Sequence, residues 1–127
     1  MERKVLILGA SSEIGLEIMK IYLNKNYKII AHYNKGNKNF FNFSKNRKIQ
    51  KIKFNFLTKL ENIDKFSKNK IFKNCDILIN ALGRIRELEY KKISSKEIID
   101  SFKVNLLTTV IFRKYLLTDN YARIRLF

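Results

Sequence analysis

Lys4-Val5-Leu6-Ile7-Leu8-Gly9-Ala10-Ser11-Ser12-Glu13-Ile14-Gly15 runs from an unbroken apolar segment through a glycine turn into residues with helical spacing. Residues 5–8 have the pattern of a parallel strand covered on both faces. Gly9 lets the chain turn sharply and approach a ligand closely. From Ile14, the apolar residues Ile14, Ile18, Ile21 and Tyr22 recur at the spacing of one helix face. The first free amides of that helix point back at the turn, with the positive end of the helix dipole behind them, which is the geometry of a phosphate site.

The chain repeats this alternation. Residues 27–33 read as a second strand, completing a β-α-β unit, and 49–56 as a third. Between them lies a polar stretch around Phe40, Phe41 and Phe43, read as a loop with a short helix. Its basic and aromatic residues suit either a lysine-rich helix with its Phe face on the sheet, the favoured reading, or a stacking site for single-stranded nucleic acid. Thr58 is the expected cap of a helix running to about Asn69, with Leu60, Ile63 and Phe66 inward. Residues 75–83, Cys75-Asp76-Ile77-Leu78-Ile79-Asn80-Ala81-Leu82-Gly83, read as a buried strand ending in small residues. Residues 84–93 read as a surface loop. Ser94 and Glu97 have capping-box spacing, opening a long helix with Ile98, Phe102, Asn105, Leu106, Val110 and Leu117 on one broad side. A last strand is expected at 122–127.

Three of these stretches resemble the short-chain dehydrogenase/reductase family, in its order and across essentially the whole chain. Gly9 to Gly15 is similar to the family's Thr-Gly-x-x-x-Gly-x-Gly turn, with Leu8 in place of Thr and Glu13 in place of the middle Gly. Residues 76–83 are similar to Asp-x-Leu-Val-Asn-Asn-Ala-Gly, with Ala81 and Leu82 departing from it. Phe102-Lys103-Val104-Asn105-Leu106 resembles the helix that carries the family's catalytic Asn, which bends the helix locally. The implied fold is α/β, a Rossmann-type parallel sheet with helices on both faces, incomplete at the C-terminal end and forming one domain over residues 1–127.

The resemblance implies a nicotinamide cofactor, with Gly9, Ser11, Ser12, Ile14 and Gly15 at the pyrophosphate, Asn55 at the adenine, and Asn80, Ala81 and Gly83 on the cleft floor. Where a carboxylate would hold an unphosphorylated ribose, this chain has His32, Tyr33, Asn34 and Lys35, which tilts the expectation toward NADP(H) over NAD(H). His32 itself is expected at the surface, with no catalytic role. Asn105 is the only match to the family's catalytic residues. No Tyr here has Lys four residues on, so the family's Tyr-x-x-x-Lys pair is absent, as is the Ser that follows the next strand. Carbonyl or alcohol hydride transfer is therefore expected only of a longer form; the alternative is a non-catalytic nucleotide-binding or interaction module, and a weaker one a basic nucleic-acid-binding protein. The short chain is expected to expose a strand edge and helix face, favouring self-association.

Composition sets the remaining limits. A chain of 127 residues suits one domain, and its 46% hydrophobic content excludes disorder. No apolar run reaches a membrane span, and the first strand starts too early for a signal peptide. Cys75 is the only cysteine, which fits a reducing cytosol, and is expected as a small buried residue. One His and one Cys leave no ligands for a usual zinc site. The net charge of +16 points formally to phosphate-rich partners, but the Lys, Asn, Ile and Phe abundance matches AT-rich coding. The lysines are spread along the chain, which weighs against nucleic acid as the main partner.

Overall fold

The computed structural model describes residues 2–83, 92–116 and 123–126, of which 115–116 and 123–126 are described by backbone alone. Five parallel strands form one sheet: β1 (Lys4–Leu8), β2 (Lys28–Tyr33), β3 (Ile49–Lys53), β4 (Ile77–Asn80) and β5 (Arg123–Leu126), in the order β3-β2-β1-β4-β5. Val5 lies opposite Ile29 on one side and Ile77 on the other, which puts β1 at the centre of the described residues' sheet. Residues 5–8 are fully buried, as the unbroken apolar run requires. The Rossmann-type α/β arrangement expected from the sequence is the one observed.

The pleat divides the core into two layers. Val5 and Ile7 face α1 (Glu13–Asn24) and α2 (Lys38–Phe43), packing with Ile18, Met19 and Phe40. Leu6 and Leu8 face the opposite way, toward α3 (Leu60–Ser67) and the helix of residues 95–116, packing with Ile63, Phe72 and Phe112. This second layer is rich in rings: Phe54 stacks on Phe66 with centroids 4.0 Å apart, and Phe66 meets Phe72 and Phe112 edge-on.

Several expectations are corrected. The third strand ends at Lys53 instead of Phe56, because the Asn55 side chain accepts the Leu57 N–H at 2.9 Å and turns the chain. Thr58 does not cap α3: its hydroxyl accepts the Asn62 amide, and Lys59 occupies the N-cap position without a side-chain bond. Leu60 is exposed, while Ile63 is fully buried. In α1 the inward residues are Gly15, Ile18 and Met19, and both Ile14 and Ile21 face out. In the short helix Phe40 is buried and Phe43 half-buried against the sheet, and Phe41 remains at the surface.

The long helix starts as expected, with the Ser94 hydroxyl accepting the Glu97 N–H, but comes in three parts. Between α4 (Ser95–Phe102) and α5 (Thr108–Leu116) it widens to π geometry at Lys103–Leu107. There the Thr108 N–H and hydroxyl both reach the Lys103 carbonyl, five residues back. Its predicted inner stripe is reversed. Ile98, Phe102, Leu106 and Val110 are exposed, and Asp100, Val104, Thr108 and Phe112 are buried. Residues 84–91, Leu117 and the side chains of the last strand lie outside the described residues.

Candidate cofactor site

Strand order reverses between β1 and β4, since β2 lies on one side of β1 and β4 on the other. Ligands of open parallel sheets bind outside the carboxyl ends of the strands at such a point. Gly9 follows β1 there at φ +77°, and a Cβ on it would stand 2.9 Å from the Ala81 backbone. A Cβ on Gly15 would stand 2.3 Å from the Gly9 carbonyl oxygen. Both glycines thus let α1 and β4 close on the turn. The Ser12 hydroxyl completes it, donating to the Gly9 carbonyl at 2.9 Å and accepting the Gly15 N–H at 3.0 Å. The N–H groups of Glu13 and Ile14 lead the helix, where no intrahelical acceptor precedes them. Ser11 is half-buried, and Ser12, Glu13 and Ile14 are exposed beside that end. The turn presents the backbone donors of a helix start, with the Glu13 carboxylate in that first turn as an opposing charge.

His32 is 1% exposed, contrary to its expected surface position. Its Nδ1 accepts the Gly9 N–H at 3.0 Å and its Nε2 donates to the Phe54 carbonyl at 2.8 Å. Burial pushes the imidazole down to about 4, against the opposing pull of the Phe54 carbonyl. A neutral ring with one acceptor and one donor suits both bonds. Adjacent to it, the Ala10 N–H donates to the His32 carbonyl at 2.8 Å. The ring therefore couples the turn to β2 and β3, and neither nitrogen is left for a ligand phosphate.

A cavity of about 210 Å³ opens beyond the carboxyl ends of β2, β3 and β4. Asn34, Asn55, Leu82 and Gly83 line it, with Val104 and the edge of His32. The structure thus gathers residues from four separated stretches of chain. Gly83 has open space where a Cβ would be. Tyr33 stays on the other face of the sheet, its ring against Phe40 and Phe41. Asn80 is 2% exposed: its amide donates to the Thr109 hydroxyl and, at 3.4 Å, to the Asn105 carbonyl, while its oxygen accepts the Leu82 N–H at 2.9 Å. It ties the end of β4 to the π segment. Asn105 itself is exposed and lines a second hollow with Phe102 and Leu106, separate from the first.

Asn37 escaped the sequence reading. Its oxygen accepts the Phe40 N–H at 2.9 Å, capping α2, and its amide donates to the Ser11 carbonyl at 3.0 Å. The available signal was local, an Asn at an N-cap position. Its link to the turn depends on the fold. Among the described residues no cluster of His, Cys, Asp or Glu could hold a metal, and no helix is long and apolar enough to cross a membrane. Cys75 is buried, which pushes its thiol up to about 12.

Residues 3–123 match the family model described as short chain dehydrogenase. No curated protein matches the chain. Among solved structures, a short-chain dehydrogenase from Streptomyces avermitilis superposes with a TM-score of 0.82 at 16% identity, covering 98% of this chain and 48% of that one. ElxO with NADP bound gives a TM-score of 0.79 at 21% identity, covering 99% and 55%. A short chain dehydrogenase from Leptospira borgpetersenii with bound NAD+ gives 0.69 at 23%, covering 91% and 45%. The chain spans about half the length of these structures.

Proposed function

Since the chain belongs to the short-chain dehydrogenase family, we propose that residues 1–127 form one Rossmann-type domain that binds the adenosine and pyrophosphate half of NADP(H). The observation that carries this is the Gly9 turn at the strand-order reversal, next to a cavity lined by Asn34 and Asn55. In this reading the amides of Glu13 and Ile14, with Ser11 and Ser12, hold the pyrophosphate. Asn34 and Lys35 face the ribose phosphate, Asn55 the adenine, and Ala81 and Gly83 floor the cleft. Relatives with NADP and with NAD+ are both known, so the preference rests on the residues after β2. No Asp or Glu lies between Glu17 and Glu61, so no carboxylate from β2 or β3 stands against a ribose phosphate. His32 holds the turn and leaves the ligand to its neighbours.

In the family's reaction a bound nicotinamide cofactor would supply a hydride. Asn105 belongs to the proposed reaction only as the family's amide at the π segment; it cannot titrate, so it is no proton donor. Without the Tyr-x-x-x-Lys pair, proton transfer, commonly worth about 10²- to 10⁴-fold, is missing from these residues. We therefore read the 127-residue chain, a cytosolic protein in this proposal, as binding cofactor without turning it over. A small carbonyl or alcohol substrate belongs to a longer form. Titration of NADPH and NADH against the chain, followed by nicotinamide fluorescence, tests this. Saturable binding, tighter for NADPH, is expected; absence of binding to either overturns the reading, and carbonyl-dependent oxidation of NADPH overturns the inactivity.

A further inference from the structure

We propose that the exposed edge formed by α2 and the carboxyl half of β3 binds single-stranded nucleic acid. The first observation is charge segregation. Eleven lysines and arginines and not one Asp or Glu occupy residues 18–60, although the whole chain has 11 acidic residues. AT-rich coding accounts for the number of lysines but leaves this partition unexplained. The fold gathers much of the acid-free segment at one side, because it comprises β2, α2 and β3, and β3 is the outer strand of the described residues. Glu2 reaches the near end of this side, pairing with Lys28 at 3.3 Å and Lys48 at 3.8 Å. Lys51 and Lys53 make no ion pair among the described residues.

The second observation is an aromatic platform among those charges. Phe41 is 37% exposed, with the Lys51 ammonium 5.7 Å from its ring centroid. Its ring is held edge-on by Tyr33 at 5.5 Å and Phe40 at 5.4 Å, and Tyr33 pairs in register with Lys53. Gly36, at φ +67°, lets this ring lie close: a Cβ there would stand 2.6 Å from Phe41. Edge lysines alone are explained as protection against strand pairing. The exposed Phe41 ring beside Lys51 is what a base stacks on, with Lys51 and Lys53 about 7 Å apart along the strand to meet phosphates. A membrane surface would call for several inserting apolar side chains, and among the described residues α2 and β3 expose one large apolar side chain, Phe41.

The test is fluorescence anisotropy of a labelled DNA single strand of about 12 nucleotides, within the ~4–16 range of such sites. It is run across salt concentrations on the 127-residue protein. Lys51→Gln/Lys53→Gln is expected to reduce the slope of log K against log salt by about 1.4. Lys70→Gln/Lys73→Gln, the same charge change on exposed lysines elsewhere, is expected to leave it unchanged. Phe41→Ala is expected to weaken binding roughly 5- to 150-fold, and Phe41→Tyr to retain it. Melting curves identify any variant that has lost its fold, and the lysine pair stands as the test if Phe41→Ala has. Equal effects from the two lysine pairs overturn the proposal, as does tighter binding to anionic vesicles than to DNA. Competition by NADPH overturns it too, by assigning the DNA to the cofactor cavity; the cofactor reading is judged by NADPH binding alone.

Discussion

Acidifying the protein from pH 7 to pH 4 is expected to destabilise it through one ring. His32 is the only histidine, and its folded pKa of about 4 lies below the ordinary 6.5. Between those values the unfolded chain binds a proton that the folded chain refuses, so stability rises with pH through that window and falls as pH drops from 6.5 toward 4. The gap corresponds to about 3 kcal/mol, a large share of a domain's stability. The structural cause is specific: a protonated Nδ1 would set a second N–H against the Gly9 N–H, now bound to it at 3.0 Å. Urea unfolding at intervals from pH 4 to 7, compared between the native protein and His32→Phe, isolates the effect from titrating carboxylates. The native protein should lose up to about 3 kcal/mol more than the variant on acidification. Direct NMR titration of the imidazole gives a second reading that does not depend on the variant folding. A ring titrating near 6.5, or equal pH dependence in both proteins, refutes the reasoning.

Gly15→Ala is expected to cost roughly 3 kcal/mol in urea unfolding, because its Cβ meets backbone that cannot swing aside, 2.3 Å from the Gly9 oxygen. Asn80→Ala leaves the Leu82 N–H without its acceptor and the Thr109 hydroxyl without its donor, and should cost about 2–3 kcal/mol by the same assay. Cys75, buried with its thiol pushed up to about 12, should react with a thiol reagent at neutral pH only as fast as the protein opens, and rapidly in urea.

The folding pattern was readable where local chemistry and burial agree. Residues 5–8 admit few roles other than a central strand, and Ser94 with Glu97 marked a helix start that the structure retains. Amphipathic reading failed where apolar residues cover more than one helix face. Ile98, Phe102, Leu106 and Val110 have faultless helical spacing, but the face that packs is the one with Asp100, Val104, Thr108 and Phe112. Periodicity identifies a stripe without saying what lies against it. Leu60 and Ile14 fail in the same way, each exposed at the first turn of its helix.

What the sequence by itself determined is the alternation of strand and helix, the glycine turn after β1, and the likeness of three stretches to one family. These are local properties, set by side-chain period and backbone freedom within a few residues. The tertiary structure alone decided the placement of His32, whose partners Gly9 and Phe54 are 23 and 22 residues away, and it set Asn34, Asn55 and Gly83, which only the family resemblance had related, on one cavity. It also turned Asn80 inward and left Phe41 beside Lys51 at the surface. Such neighbours are brought together by sheet order and register, which depend on every strand at once.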